Sequence, residues 1–265
     1  SPLNHQLTIR NNQIITFNKL GDGPPLVILH GLFGSKENWR GIVKYLADTH
    51  TVYSVDLRNH GASFWSHQMD YDQMADDIIK WSQTLALESF YLMGHSMGGK
   101  VAMKVADLNR ESIRHLIIVD IAPIAYVGDH LKILEGLYSL RKIKAQSLGE
   151  ISTHLKQYID DDHLIAFLLK NFKRREGGLE LILNIESIQR NYTNILEKPN
   201  IQKENTVPTT VIGGDQSTYL SKDAILALEF HYSHLTIKMI KDANHWVHAS
   251  QPNLFLSVLH DCLNE

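Results

Sequence analysis

Short, mainly apolar runs that alternate with helix-like segments most constrain the fold of this chain. Four such runs occur in the first half of the sequence, at residues 26–29, 51–55, 90–93 and 115–119. Runs of this kind are typical of strands that are covered on both faces of a sheet. Helices between successive strands favour parallel pairing through right-handed crossovers. The alternation therefore predicts an α/β fold with a mostly parallel sheet.

Further elements extend this pattern at both ends of the chain. Residues 3–10 and 14–17 flank the turn signal Asn11-Asn12 and predict an opening β-hairpin. Strands are predicted again at residues 209–212 and 235–240. Helices are predicted after Ser35, over residues 75–87 and 223–230, and from about residue 253.

Residues 122–205 interrupt the alternation. No clear strand run occurs there, and apolar residues recur at helical spacing, as in Leu131, Leu134, Leu137, Leu164, Phe167 and Leu168. We therefore expect an all-helical insertion between two parts of one core, residues 1–121 and 206–265. Such an insertion is a candidate lid over the strand ends. The alternative is that its helices only thicken one face of the sheet.

Composition limits the classes of partner. The chain has 265 residues, of which 43% are hydrophobic and 21% charged, as in ordinary globular proteins. Its formal net charge is -3 without a long run of one sign, which disfavours nucleic acid or an anionic membrane as partner. Cys262 is the single cysteine, which excludes internal disulfides and cysteine-based metal clusters. With no apolar run long enough to span a bilayer and no signal-peptide layout at the N-terminus, we expect a cytoplasmic location.

The segment Gly94-His95-Ser96-Met97-Gly98 lies between the apolar run 90–93 and a helix-like stretch, 100–106. A strand, a sharp turn with serine at its apex and a helix form the nucleophile elbow of serine hydrolases. Glycine on both sides permits the tight turn, because a Cβ there would clash with the adjoining strand or helix. Ser96 is therefore the predicted nucleophile, close to helix N–H groups that favour developing negative charge.

Polar side chains recur at one edge of the predicted sheet. His30, Ser96 and Asp120 each follow a strand, and His245 lies in the loop after the last strand. Ligands of open α/β sheets bind beyond these C-terminal strand ends. A serine hydroxyl needs a base, and a histidine with a carboxylate on its other nitrogen suits that role. We therefore predict His245 as the base.

Two further histidines compete with His245 for this role. His248 follows it closely in the same loop, and His95 adjoins Ser96 inside the elbow. The side chain of His95 should point away from the nucleophile and fill the helix–strand junction. His30, next to a glycine, is interpreted as a residue that organises its loop.

Four motifs together resemble the α/β-hydrolase superfamily along nearly the whole chain. They are His30-Gly31-Leu32-Phe33-Gly34, Asp56-Leu57-Arg58-Asn59-His60-Gly61, Gly94-His95-Ser96-Met97-Gly98-Gly99 and Asn244-His245-Trp246-Val247-His248. Asp120-Ile121-Ala122-Pro123 and the Asn59-His60-Gly61 version of the second motif resemble a narrower group, the small esterases of the YbfF-like branch. The resemblance implies a mostly parallel eight-stranded sheet with a helical lid inserted after the sixth strand. The elbow supplies the N–H of Met97 to an oxyanion, and the family pattern adds the N–H of Leu32.

Two aspartates remain candidates for the acid. Most of the superfamily carries it after the next-to-last strand in a Gly-x-x-Asp arrangement. Here that loop reads Ile212-Gly213-Gly214-Asp215-Gln216-Ser217, in which Asp215 comes early. Asp120 follows the strand after the elbow, where the YbfF-like branch has its acid. We favour Asp120.

Large apolar residues close to these loops are candidates for substrate binding. These residues are Phe33, Trp39, Met97, Tyr126 and Trp246. Each could line an acyl-binding pocket or belong to the core. Asp56 and Arg58 are interpreted as holding loops beneath the site through hydrogen bonds and charge pairing. Nothing near them completes a metal set, and the chain lacks the glycine-rich motifs of dinucleotide and phosphate sites. We expect neither a metal nor an organic cofactor.

The predicted function is hydrolysis of small-molecule carboxylic esters or acyl thioesters through a covalent acyl-enzyme. Serine at the elbow disfavours dehalogenases and epoxide hydrolases, which carry aspartate there. Carbon–carbon bond hydrolases, perhydrolases and lyases with the same triad remain open, as does a ligand-binding protein without turnover. Acyl-chain length, preference for ester or thioester, and oligomeric state are left open.

Overall fold

The computed structural model describes residues 3–202 and 204–264. Ser1, Pro2, Lys203 and Glu265, which belong to the predicted core and insertion ranges, lie outside the described residues. The strands are, in chain order, β1 (Leu3–Arg10), β2 (Gln13–Leu20), β3 (Pro25–Leu29), β4 (Thr51–Val55), β5 (Phe90–His95), β6 (Ile113–Val119), β7 (Phe172–Arg175), β8 (Gly178–Leu181), β9 (Thr209–Gly214) and β10 (Leu235–Ile240).

Within the described residues, eight of these strands form one sheet, in the spatial order β1-β2-β4-β3-β5-β6-β9-β10. β2 pairs antiparallel with β1 and with β4. The pairs from β4 through β3, β5, β6 and β9 to β10 are parallel. The predicted α/β-hydrolase fold with a mostly parallel eight-stranded sheet is confirmed.

Helices cover both faces of the sheet. Their bounds are α1 (Arg40–Leu46), α2 (Tyr71–Thr84), α3 (Met97–Leu108), α4 (Leu131–Ser139), α5 (Leu148–Leu155), α6 (Asp162–Leu169), α7 (Ile185–Arg190), α8 (Tyr192–Leu196), α9 (Lys222–His231), α10 (Val247–Ser250) and α11 (Pro252–Leu263). A 3₁₀ turn, Lys36–Trp39, precedes α1. Among the described helices none is both long and apolar enough to cross a membrane.

Burial of the central strands on both faces explains why their sequences are apolar without interruption. Along β3, Val27 and Leu29 pack into the cluster that contains α2 and α3, whereas Leu26 and Ile28 pack into the cluster that contains α1 and α11. All four side chains are fully buried. Because successive side chains of a strand point to opposite faces, a strand covered on both sides must be apolar at every position.

The segment between β6 and β9 differs in part from the prediction of an all-helical insertion. Its described residues, all but Lys203, contain α4 to α8, but β7 and β8 form a separate antiparallel hairpin. The apolar residues of this hairpin, Phe172, Leu179 and Leu181, are buried, while its charged residues remain exposed. The turn between the strands contains Gly177 at φ +87°, a conformation that glycine adopts readily. β7 was missed because three of its four residues are charged, and β8 was missed because it is only four residues long.

The returning end of this segment is held against the helix that follows the elbow. The Lys100 ammonium group on α3 donates to the carbonyl oxygens of Glu197 at 2.8 Å and Leu196 at 3.3 Å. The ring of Tyr126, from the outgoing end, lies 4.9 Å from the same ammonium group. The backbone N–H of Tyr126 donates to Leu196 O at 2.9 Å. Both ends of the insertion therefore meet beside α3.

Candidate active site

Ser96 stands at the apex of the turn between β5 and α3. Its backbone adopts φ 54° and ψ −121°, a strained conformation for a residue with a side chain. A Cβ on Gly94 would overlap the carbonyl of Gly98, and a Cβ on Gly98 would overlap the backbone of the β3 end. Ser96 is partly exposed, whereas its neighbours His95 and Met97 are buried. The glycines thus allow strand and helix to approach closely and leave the hydroxyl accessible at the strand tip.

Ser96, His245 and Asp120 form one chain of hydrogen bonds. His245 Nδ1 lies 2.6 Å from Asp120 Oδ2, and His245 Nε2 lies 3.0 Å from Ser96 Oγ. Because a carboxylate can only accept, we assign the ring proton of His245 to Nδ1, which leaves Nε2 free to accept the hydroxyl proton of Ser96. The arrangement can activate a serine hydroxyl as a nucleophile.

Asp120 is fixed by its own hydrogen bonds directly after β6. It is fully buried, and its backbone adopts φ 54°. Oδ1 accepts the backbone N–H of Gly214 at 3.2 Å, and Oδ2 also accepts the Ser217 hydroxyl. The alternative acid, Asp215, is exposed and accepts the backbone N–H of Asp242 at 2.8 Å. The structure thus brings Asp120, and not Asp215, to His245.

The two rival histidines lie behind the site. His95 is buried and donates from Nε2 to the backbone oxygen of His245 at 2.8 Å, which fixes the loop that carries His245. His248 stacks on Trp39 with ring centroids 4.0 Å apart. Burial lowers the pKa of His248 to about 3, with a further contribution from His245. Among the described residues, neither rival is hydrogen-bonded to Ser96.

The backbone N–H groups of Leu32 and Met97 are available to a ligand. Within residues 3–202 and 204–264, neither donates a hydrogen bond to a protein acceptor. Leu32 lies in the loop after β3, and Met97 is the first residue of α3. The positive end of a helix dipole lies at this N-terminus. These two groups could therefore donate to negative charge that develops on a carbonyl oxygen next to Ser96.

Two buried histidines hold the loop after β3. His60 Nε2 accepts the backbone N–H of Phe33 at 3.1 Å, while Nδ1 donates to Arg58 O at 3.0 Å. Burial lowers the pKa of His60 to about 3, so its ring stays neutral and Nε2 remains an acceptor. His30 likewise accepts the backbone N–H of Leu57 at 3.0 Å and donates to its own neighbouring loop. The position of Leu32 is thereby set from both sides.

Asp56 and Arg58 anchor loops beneath the site. The buried Asp56 carboxylate contacts Lys36 Nζ at 2.8 Å and accepts the backbone N–H of Lys36 at 2.7 Å. Burial alone would raise the pKa of Asp56, but Lys36 more than offsets this and the pKa lies below its ordinary value. Arg58 binds both carboxylate oxygens of Asp77 on α2, at 2.7 and 2.8 Å. In the part of the chain that the structure describes, no three His, Cys, Asp or Glu side chains group so that they could hold a metal ion.

The predicted substrate-binding residues divide into two sets. Trp39 is a correction: it is 1% exposed and packs between His248 and Phe255, in the core cluster on the α1 and α11 face of the sheet. Its side chain cannot contact a substrate bound beyond the strand ends. Tyr126 and Trp246 are partly exposed in the loops of the site, whereas Phe33, in the loop after β3, is 3% exposed and packs in the core cluster that contains α2 and α3. Tyr126 accepts the backbone N–H of Ala122 at 3.0 Å and donates to Tyr219 O at 2.9 Å.

Several residues near the triad carried no recognisable signal in the sequence. The ring of Tyr219, from the loop after β9, stacks on His245 with centroids 3.7 Å apart and an interplanar angle of 13°. Phe167 of α6 contacts Trp246 with ring centroids 4.8 Å apart. His130, which precedes α4, lies with its ring 6.0 Å from that of Phe33. Only the fold brings these distant segments together, so no local pattern could have identified them.

Known proteins resemble the chain over most of its length. The family model described as the α/β hydrolase fold matches residues 24–252. Esterase YbfF of Escherichia coli (strain K12) is 31% identical over 242 residues, which are 91% of this chain and 93% of that protein. The sn-1-specific diacylglycerol lipase ABHD11 of Danio rerio is 34% identical over 250 residues, which are 91% of this chain and 78% of that protein.

Solved structures show the same architecture. A marine microorganism esterase is 37% identical, superposes with a TM-score of 0.90, and the match covers 94% of this chain and 98% of that one. E-2-(acetamidomethylene)succinate hydrolase, at 18% identity and a TM-score of 0.84, resembles this chain in fold alone. The family match, the two relatives and the topology of the sheet agree. The chain belongs to the α/β-hydrolase family.

Proposed function

We propose that this protein is a serine hydrolase that cleaves carboxylic esters or acyl thioesters of small molecules. The observation that carries the proposal is the hydrogen-bonded chain from Ser96 Oγ through the His245 ring to Asp120, at 3.0 and 2.6 Å. Further support comes from the relatives reported above, whose names describe an esterase and a lipase.

In the proposed mechanism Ser96 Oγ attacks the carbonyl carbon of the substrate while His245 Nε2 accepts its proton. The resulting imidazolium is stabilised by the Asp120 carboxylate. The oxyanion of the tetrahedral intermediate accepts the N–H groups of Leu32 and Met97. His245 then protonates the leaving alcohol or thiol, which leaves an acyl group on Ser96. Water, deprotonated by His245, attacks the acyl carbon; the bond between this carbon and Ser96 Oγ then breaks, His245 returns the proton to Ser96 Oγ, and the acid is released.

The insertion, residues 122–205 by the predicted boundaries, is proposed to act as a lid on this site. Contacts between insertion and core loops favour this role over simple thickening of the sheet: Phe167 meets Trp246, and His130 meets Phe33. Both core residues adjoin groups of the mechanism, because Trp246 follows His245 and Phe33 follows Leu32. Tyr126 and Trp246, both partly exposed, are proposed to line a substrate pocket beneath this lid, with the buried Phe33 behind them.

The proposal is tested by labelling and by turnover. A fluorophosphonate should modify Ser96 stoichiometrically, and the protein should hydrolyse a short p-nitrophenyl ester. Ser96→Ala should abolish both, whereas Ser233→Ala, at an exposed serine near the opposite end of β10, should retain both. Absence of labelling in folded protein would reject a reactive Ser96. Labelling without turnover of any ester or thioester would favour the alternative of a binding protein on a hydrolase fold.

A further inference from the structure

An aromatic ring covers one face of His245 and has no part in the proposed mechanism. It belongs to Tyr219, in the loop after β9, and lies nearly parallel to the imidazole, with centroids 3.7 Å apart and an interplanar angle of 13°. Aromatic pairs usually have centroids about 4.5–7 Å apart, in offset or edge-to-face contact. The two rings here therefore overlap face to face with little offset.

The backbone of Tyr219 is hydrogen-bonded on both sides. Its N–H donates to Ser217 Oγ at 3.2 Å, and its carbonyl oxygen accepts the Tyr126 hydroxyl at 2.9 Å. Both partners are tied to the end of β6, because Ser217 donates its hydroxyl proton to Asp120 Oδ2 and Tyr126 accepts the backbone N–H of Ala122 at 3.0 Å. Contacts that do not involve the Tyr219 side chain thus set the position of its ring relative to the acid.

The charge on the imidazole decides what such a stack contributes. Two neutral rings gain little from full overlap, because the negative faces of their π systems repel each other. A cation over the same face is attracted by that negative charge. His245 becomes a cation only when it accepts the proton of Ser96, so its contact with Tyr219 is stronger in the transition state than before the reaction. Interactions of this kind lower the barrier and raise kcat.

The other ionisable groups around His245 leave this effect to be measured. The Tyr219 phenol is neutral, since burial raises its pKa. Asp120 contacts Nδ1 at 2.6 Å. The charge of His245 also acts on three histidines whose pKa burial lowers, so that they are neutral near pH 7; they are His95, His130 and His248. A change of the Tyr219 side chain alters none of these groups.

We propose that Tyr219 is a positioning residue of the hydrolysis, whose ring holds the imidazole of His245 between acid and nucleophile and stabilises the imidazolium that forms there. Ser217 and Tyr126 hold the backbone of Tyr219 where this stack requires it. The inference rests on the proposed function, and it adds to the triad a group from the loop after β9.

The test is the pH dependence of kcat/KM for a short p-nitrophenyl ester, which reports on the ionisation of the free enzyme. Tyr219→Leu removes the ring and leaves both backbone hydrogen bonds possible. Because the imidazolium loses a favourable contact, the midpoint of the fall in activity on the acidic side should move to lower pH by about 0.5 pH unit. The plateau value of kcat should fall by about three- to tenfold. Tyr219→Met, whose longer side chain fills more of the space, should move the midpoint in the same direction.

Two variants serve as controls. Tyr219→Phe keeps the ring and removes a hydroxyl that is hydrogen-bonded to none of the residues that the structure describes. It should therefore keep the midpoint of the unaltered protein and a kcat within about twofold. Tyr45→Leu, the same exchange at an exposed tyrosine of α1, should change neither value.

The outcomes separate this inference from the proposed function. A lower rate of Tyr219→Leu and Tyr219→Met with an unmoved midpoint would overturn the inference, because it would indicate that the ring only fills space. Equal losses in Tyr219→Phe and Tyr219→Leu would overturn it as well, by placing the effect in the hydroxyl. Absence of any Ser96-dependent hydrolysis in the unaltered protein would instead overturn the proposed function, and this inference with it.

Discussion

The choice between the two candidate acids gives the sharpest prediction, because one conservative change can be made at each. Asp120→Asn keeps the size of the side chain and can still accept the N–H of Gly214. Its amide group, however, would face His245 Nδ1 at the position of the present 2.6 Å contact. Since an amide NH₂ donates, His245 would carry its proton on Nε2, where it could no longer accept the proton of Ser96.

The size of the effect follows from the charge that is lost. With the charge centres of carboxylate and imidazolium about 4 Å apart and an effective dielectric constant of about 20, their attraction is about 4 kcal/mol. This corresponds to a rate loss of about 10³-fold, and the unfavourable tautomer adds to it. We therefore expect kcat for a short p-nitrophenyl ester to fall by about 10³- to 10⁴-fold in Asp120→Asn.

Asp215→Asn is the matched control. The Asp215 side chain is exposed and accepts the backbone N–H of Asp242 at 2.8 Å, which an asparagine oxygen can do equally well. Its kcat should stay within about twofold of the unaltered protein, since no group of the triad is changed. The measurement is the initial rate of ester hydrolysis divided by the concentration of folded protein. Loss of hydrolysis in Asp215→Asn with retention in Asp120→Asn would refute the assignment.

Two further predictions concern buried side chains. Burial lowers the pKa of Lys100 to about 7. Because the unfolded chain retains this proton up to about pH 10, the free energy of unfolding should rise with pH from about 7 upward, by at most about 1.4 kcal/mol per pH unit. Lys100→Met should remove that rise in urea titrations, and a difference between the two proteins that is independent of pH would contradict the reasoning. Trp39→Ala should lower the free energy of unfolding by about 3–5 kcal/mol, because it empties a fully buried position. It should leave the preference for acyl-chain length unchanged, and a shifted preference would return Trp39 to the pocket.

Strands with continuous apolar sequence were predictable from local pattern. The expected strands at 51–55 and 235–240 coincide with β4 and β10, and the start of β5 at Phe90 was also predicted. Burial on both faces leaves β4 and β5 little sequence freedom, so their pattern is strong, whereas β10 lies at the edge of the sheet and is mostly not buried. α2 begins at Tyr71, a full turn before the predicted start, where the Asp70 side chain accepts the N–H of Gln73. The predicted start at residue 75 did not take this N-cap into account, although the buried side chains recur at helical spacing from Tyr71 onward.

The hairpin β7–β8 shows where local pattern fails. Its first strand reads Phe-Lys-Arg-Arg, and only Phe172 of the four is buried. Pairing with Leu181 and a backbone bond from Leu179 N–H to Ala145 O at 2.7 Å stabilise it. The bond to Ala145 joins residues that are distant in sequence, so no local pattern indicates it. Within the strand itself, the three charged residues obscure the apolar signal of Phe172.

Placement of residues at the site could be predicted most directly where a strand end fixed it. Ser96 and Asp120 directly follow β5 and β6, and the parallel pairing of these strands brings the two residues to one edge. Trp39 also lies close in sequence to a motif, the one that begins at His30. Its side chain, however, packs on the face of the sheet that α1 and α11 cover. Sequence position therefore predicted where the residues that follow strands lie. It did not predict which way the side chain of a residue on a helical turn points.

The backbone conformations of Ser96 and Asp120 reduce stability at positions that the proposed activity needs. Ser96 and Asp120 both have φ 54°, a region that costs residues with side chains about 1–3 kcal/mol and glycine much less. Glycine in either place would relax the main chain, although it would also remove the group that hydrolysis is proposed to need. A screen of variants for heat resistance alone would therefore tend to select against the two residues that the proposed chemistry requires.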